Sequence, residues 1–458
     1  MTDLTMDQFG DQLGDQLATA DDGDETAGAG ANTASARSVA YYRGPVFQRR
    51  LRHRYLVERW FRWAGLGAIG LAITMLVVLL GSIVLNGWSA FRETKLLLEV
   101  SFDPAVIERV DPGAADYAKL ARMAVQARFP EVTERSERRQ LNAMLSDGAG
   151  QLLRAMVLGD PALIGQKRSV WVPARSDIDQ LVKGNIARGG AEGERRFSDR
   201  QLGWVDGLRA AGALRLEFNT TLFFAGDSRE PELAGILSGL TGSLLTLIAT
   251  LLLAMPVGVA AAVYLEEFAT HSRWTDLIEV NINNLAAVPS IIFGLLGLSV
   301  FLNLFGLPRS AALAGGMVLA LMTLPTIIIA SRSALKAVPP SIREAALGVG
   351  ASPVQTVFHH VLPLAMPGIL TGMIIGMSRA LGETAPLLMI GMVAFVVDIP
   401  RGFTDSTTVL PVQIYMWAAS PERAFTERTS AAILILLVVL TAMNALAVYL
   451  RRSFEKRW

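Results

Sequence analysis

The chain has 458 residues, 52% of them hydrophobic and 18% charged, and its mean hydropathy of +0.39 is too high for an ordinary water-soluble protein of this length. A formal net charge of +1 gives no global attraction for nucleic acid. The absence of cysteine excludes disulfides, thiol catalysis and cysteine-ligated zinc or iron–sulfur centres, and the four histidines (His53, His271, His359, His360) are too scattered to suggest a metal site.

In chain order, the first 36 residues hold eight acidic residues and neither Lys nor Arg, with no recognisable signal peptide. Such a stretch buries too little apolar surface to offset its ordering entropy, so residues 1–40 are expected to form a disordered acidic tail. Residues 41–63 are a basic juxtamembrane segment within a region, 37–62, that carries eight arginines. A helix crosses the hydrocarbon core with about 20 apolar residues. The charge-free run Trp63–Phe91 is long enough, and the first transmembrane helix is expected over 64–86.

Residues 87–232 then form the longest connection, expected on the outer face. "ADYAKLARMAVQARF" and "RRQLNAMLSDGAGQLLRAM" have helical periodicity. "KRSVWVPAR" and "ALRLEF" read as short strands, and "GNIARGGAEGERR" as a flexible loop. The inference is a small α+β extracytoplasmic domain that holds together without disulfides.

Four further runs reach spanning length without a charge: Leu233–Leu265, Val280–Pro308, Ser310–Ser331 and Thr429–Leu450. Another span begins near Leu364, so the fold class is an all-α polytopic membrane protein with six transmembrane helices and the outer domain inserted between the first two. With six spans both termini share one side, and both are basic: the arginine-rich segment at one end, "RRSFEKRW" at the other. The excess of positive charge marks that side as cytoplasmic, and the loop before the fifth span lies there too. Pro256 interrupts the second span, and Asn283, Asn284, Pro289 and Ser290 interrupt the third. Such breaks either line a pathway or are ordinary kinks.

The cytoplasmic loop reads "SALKAVPPSIREAALGVGASPVQTVFHHVLPLAMPG". Pro339 and Pro340 stop the fourth helix. Ser341 with Glu344 suggests a capping box that starts a short helix, and Gly348 and Gly350 permit a left-handed end. Ser352, Pro353 and Gln355 repeat the start signal, and Pro363 is expected to close this second short helix. The result is a compact helical knuckle over 341–363, either a structured connector or a docking element.

Glu344-Ala345-Ala346, Gly350 six residues after the glutamate, and then Leu362-Pro363 resemble the EAA signature of ABC-importer permeases. His360 stands where that signature usually has an aliphatic residue. The resemblance implies that 341–363 is a coupling loop that docks on a separate ATPase subunit. It extends through "LSGLTGSLLTLIATLLLAMPVGVAAAVYLEEF", "NINNLAAVPSIIFGLLGL" and "ILTGMIIGMSRALGETAPLL", which are similar to the phosphate-specific branch of these importer permeases. The expected permease core is 233–458, with five of the six helices. The acidic tail and the large outer domain depart from the compact members of the family. Implied partners are a second related permease, two ATPase subunits and an extracytoplasmic phosphate-binding protein, and the implied location is the bacterial inner (plasma) membrane. No phosphate-cradling Gly-x-x-x-x-Gly-Lys-Ser/Thr occurs in the chain, so no cofactor is expected here, with ATP and Mg on the partner.

Arg379 and Glu383 stand out, flanked by charge-free stretches Ala345–Ser378 and Thr384–Val397. At about 1.5 Å per residue, Arg379 lies roughly 24 Å beyond Pro363, deep in the bilayer or in its outer half. Glu383 is one turn further, within reach of the guanidinium. Gly368, Gly372, Gly376 and Ala380 form a small-residue stripe suited to close helix contact, and the charged pair is expected to border that packed face. A salt bridge that fixes packing is one reading. The other is a substrate path, since intramembrane charge usually marks one, and a guanidinium fork suits an oxyanion. The function this implies is a non-catalytic permease for phosphate working by alternating access. The alternatives are a permease for another oxyanion such as sulfate or molybdate, and a membrane sensor that signals from the outer domain to the loop. Nothing suggests a hydrolase, since Gly-x-Ser-x-Gly is absent.

Overall fold

The computed structural model describes residues 45–107, 111–189, 196–393 and 395–454. The acidic tail and residues 190–195 of the glycine-rich loop lie outside them. The chain divides into two compact units, Met1–Leu80 and Gly81–Trp458. The described part of the first belongs to helix α1, Pro45–Gly87, which runs on into the second. From Arg52 to Leu79 every residue of α1 is exposed. An apolar surface of that extent needs lipid or protein around it.

The second unit opens with the domain expected on the outer face. Its sheet has β1 (Arg92–Ser101) in the centre, flanked by β2 (Lys167–Pro173) and β3 (Leu214–Phe218), both antiparallel to it. Leu98 pairs with Val170, and Leu96 with Val172 on one side and Leu214 on the other. Five helices accompany the sheet: α2 (Tyr117–Arg128), α3 (Arg135–Asn142), α4 (Gly148–Gly159), α5 (Ser176–Val182) and α6 (Asp199–Ala210). Because strand side chains alternate between faces, Leu96, Leu98 and Val100 all point into one core, where they meet Leu120 and Val125 of α2 and Leu153 and Val157 of α4. Each such buried aliphatic contributes about 1.5–3 kcal/mol, so a domain without cysteine can hold together on its core. The expected strands and the first three helices of the domain are present. The central strand β1 was not expected: "RETKLLLEVS" follows a transmembrane run directly, and its three consecutive leucines hide the alternation.

A buried charge cluster ties this domain to the last long helix. Lys183, after α5, lies 2.6 Å from Asp179 and 2.7 Å from Glu427. Asp179 also accepts from the N–H and hydroxyl of Thr94 on β1. Gln180 and Asn185 donate to the other oxygen of Glu427. Each charge here has a partner, the condition under which buried ions are tolerated.

The remaining long helices are α7 (Leu237–Val263), α8 (Arg273–Ala286), α9 (Ser290–Gly297), α10 (Ala312–Lys336), α11 (Pro340–Gly348), α12 (Leu362–Gly382), α13 (Leu410–Ala418) and α14 (Arg423–Phe454). Among the described residues five helices are long and apolar enough to cross a membrane, and a sixth span exists only if a bent pair counts as one. That pair is the expected third span. It breaks by 101° between Arg273–Ala286 and Ser290–Leu304, because Pro289 lacks an N–H and forces the residue before it out of the helical region. Pro256, by contrast, does not interrupt its span, for α7 runs through it.

The glycine stripe packs as its spacing predicts. A Cβ on Gly368 would lie 2.6 Å from the Cβ of Ala334, and one on Gly372 2.2 Å from that of Ala330, both on α10. Close approach of α12 to α10 therefore depends on those hydrogens.

Candidate functional site

The knuckle expected on the cytoplasmic side is built differently at its two ends. α11 starts with Pro340 in its first turn after Pro339, with no side-chain cap. The expected Ser341–Glu344 capping box is absent, because two prolines move the helix start one residue ahead of it. Gly350 has φ +91° and Gly348 does not share that conformation, so Gly350 alone makes the left-handed turn. The second start signal is as expected: Ser352 and Gln355 form a reciprocal capping box.

Pro363 does not end a helix. A π-helical turn, Thr356–Val361, leads directly into α12, and the apolar span runs unbroken from Pro353 to Gly382. Widening of the turn just ahead of Pro363 is the kind of local distortion that admits a proline. Ala346 is buried against the base of the knuckle, Leu362 is half-buried, and Glu344, Ala345 and Pro363 are exposed. So are Leu347, Val349, Val354 and Phe358, the first at 49% and the second at 86%. A groove of about 710 Å³ separates the knuckle from the bases of α10 and α12, lined by Val338, Ile342, His359 and His360 among others. An exposed apolar patch of this kind, rimmed by polar groups, suits a protein partner.

What holds the knuckle in place was missed in the sequence. Arg343 of α11 grips Glu267 with two hydrogen bonds of 3.1 and 2.6 Å, and donates to the carbonyls of Val338 and Leu335 at 2.8 and 3.0 Å. Beside it, Arg332 contacts Glu266 at 3.4 Å and Glu279 at 3.1 Å. The signal was available: Glu266 and Glu267 end one charge-free run, and Arg332 ends another. Opposite charges at neighbouring span ends are natural partners.

Arg379 and Glu383 are brought together, but not as a buried helical pair. α12 ends at Gly382, and Glu383 has extended backbone at φ −80°, ψ 126°. The contact is 3.5 Å long; the Arg379 side chain is 52% exposed and that of Glu383 20%. No side-chain hydrogen bond holds Arg379 among the described residues. The pair was expected to border the packed face; Gly376 and Ala380 do face the packed interior, and Arg379, beside them, opens away from it. The chain then folds back through residues 384–409 into α13, too short to span. Asn283 and Asn284 are exposed on α8, a different element from the one that carries this pair.

Away from the knuckle, Asp227 is buried beside α13. Its carboxylate accepts from Trp417 Nε1 and the Ser228 N–H, each at 2.9 Å. Burial outweighs these bonds and pushes its pKa up to about 6. Burial likewise raises that of Glu232, which accepts from the Ser176 N–H at 3.2 Å.

A family model described as binding-protein-dependent transport system inner membrane component matches residues 235–457. A domain of unknown function (DUF3333) matches residues 48–192. The chain is 33% identical over 223 residues to the phosphate transport system permease protein PstA 1 of Mycobacterium tuberculosis, a match that covers 49% of this chain and 72% of that protein. It is 33% identical over 200 residues to the phosphate transport system permease protein PstA of Haemophilus influenzae, which covers 44% and 70%. A solved structure of the MetNI methionine ABC transporter aligns over 48% of this chain and 95% of that one, at 18% identity and a TM-score of 0.38.

Proposed function

Because the chain belongs to the family of binding-protein-dependent transport system inner membrane components, with phosphate transport system permeases of the PstA type as its relatives, we propose that it is the permease through which an ATP-driven importer moves inorganic phosphate into the cytoplasm. As a permease subunit it is not itself an enzyme. ATP and Mg would bind a partner ATPase, docked on the exposed apolar side of the 341–363 knuckle, with Glu344, Ala345, Ala346, Gly350, Leu362 and Pro363 in the coupling element. A second related permease and an extracytoplasmic phosphate-binding protein complete the assembly, which sits in the inner membrane with both termini cytoplasmic and works by alternating access.

Arg379 is the observation that carries the phosphate path. A half-open guanidinium, held among the described residues by a loose contact with Glu383, ends an otherwise apolar helix. Such a group keeps its planar fork available to an oxyanion, and the intramembrane position is hard to justify without a use. Glu383 would hold the arginine between transport events. At neutral pH phosphate keeps a proton that this carboxylate can accept in a hydrogen bond, whereas sulfate has none and is repelled.

The test is uptake of radiolabelled phosphate by cells with and without the chain, in the presence of excess sulfate. Phosphate should accumulate only when the chain is present, unaffected by sulfate, and Glu383→Gln should introduce sulfate sensitivity. Equal accumulation without the chain, or competition by sulfate in the wild type, would overturn the assignment.

A further inference from the structure

The outer domain contains a cleft of about 200 Å³ with an unusual charge balance. Arg122 reaches it from α2, Arg139 and Asn142 from α3, Ser146 and Asp147 from the turn before α4, and Arg175 from the residue after the bridge at the end of β2. Three guanidiniums thus meet one carboxylate around a small polar space. Arg139 and Arg175 have no ion pair or side-chain hydrogen bond among the described residues, and Arg122 has only a 3.5 Å contact with Asp116.

Elsewhere in the domain arginines are engaged: Arg200 with Glu137, Arg196 with Asp177, Arg215 with Glu217, and Arg154 with the carbonyl of Gly113. Arg139 and Arg175 are among those without such a partner, and both line this cleft. The three arginines are exposed around the cleft, and like charges gathered there draw an anion to it. Asn142 strengthens the site, because its carbonyl oxygen accepts from Gln126 at 3.0 Å and its N–H groups remain to donate.

We propose that this cleft is a second oxyanion site, distinct from Arg379, that binds a small tetrahedral anion such as phosphate or sulfate on the outer face. The volume fits such an ion with a few waters, and guanidinium forks match its oxygens in pairs. Ser146, in the wall of the cleft, is buried near Glu232, which accepts from the Ser176 N–H beside Arg175. The site therefore adjoins the segment that leads into α7.

The experiment is equilibrium binding of radiolabelled phosphate, and separately sulfate, to the full chain in lipid nanodiscs without other subunits. In the Arg379→Gln background, which removes the anion ligand proposed for the transport path, the chain should still bind one anion, more weakly at higher salt. In that background Arg139→Gln with Arg175→Gln should weaken binding by about tenfold or more per residue. The double lysine variant, which keeps the charge and loses the fork, should fall between. That order would not follow from simple misfolding. Absence of binding in wild type, undiminished binding in the double glutamine variant, or loss only with Arg379→Gln would each overturn the proposal. Phosphate uptake is measured independently, so failure here leaves the transport reading intact, and the reverse holds too.

Discussion

Arg343→Ala is the most informative single change to the knuckle. The guanidinium makes two hydrogen bonds to Glu267 and one each to the carbonyls of Val338 and Leu335. Truncation leaves a carboxylate whose side chain is only 8% exposed without its cation, and takes one donor from each of two carbonyls near the end of α10, of which Leu335 keeps the Val338 N–H. Breaking a buried pair by removing one partner costs about 3–5 kcal/mol. Arg343 itself is 25% exposed, so water screens part of the interaction, and about 3 kcal/mol is the appropriate figure. That corresponds to a shift on the order of a hundredfold towards a detached α11. Hydrogen exchange of the α11 amides reads this directly, and co-purification of the ATPase reads its consequence. Exchange should accelerate by on the order of a hundredfold in Arg343→Ala, with loss of ATPase. Arg343→Met combined with Glu267→Met should recover much of the protection, because no charge is then stranded. Unchanged exchange in the single variant, or a double variant no better than the single, would refute the reasoning.

Gly350→Asp places a side chain at φ +91°, where the Cβ meets nothing within 4 Å, so the cost is backbone strain of about 1 kcal/mol; the expected outcome is normal insertion with weakened ATPase binding, checked by pull-down. Asp227 binds its proton more tightly folded, at about pH 6, than at the ordinary value of 3.8. Its contribution to stability therefore falls as pH rises from about 4 to about 6 and is flat above, a loss of up to ~3 kcal/mol. Asp227→Asn should remove that dependence and raise the unfolding temperature at pH 8, as measured by thermal unfolding in detergent. Orientation is testable without background, since the chain has no cysteine: Glu131→Cys should react with an impermeant thiol reagent outside intact cells and Ser341→Cys should not.

Five candidate spans, and a sixth if the bent pair is one, were legible among the described residues because charge-free runs have few other uses, and so was the glycine stripe, whose spacing reports one helix face whatever the neighbour. The α+β character of the outer domain followed from periodicity in α2, α4, β2 and β3. Breaks in the spans were less legible. Pro256, Pro289 and Pro363 look alike in sequence, yet one is absorbed within α7, one bends the chain by 101°, and one follows a π turn. Which outcome occurs depends on packing and not on the residue. The Arg379–Glu383 spacing correctly brings the two side chains together, but the helix stops one residue short of Glu383, and Arg379 opens away from the packed face that the pair was expected to border. The anchors of the knuckle were missed because Arg343 and Glu267 are 76 residues apart in sequence, and only the fold brings them together.

Transport through this chain is read by phosphate accumulation in liposomes that contain it together with the second permease, the ATPase subunits with enclosed Mg-ATP, and binding protein outside. Uptake should require ATP, disappear when this chain is omitted and fall at least about a hundredfold with Arg379→Ala, in line with the ~3 kcal/mol loss of a charge-assisted contact, while the assembled complex still forms. Full uptake by the Arg379→Ala complex would contradict the proposed path, and accumulation without this chain would contradict the function itself.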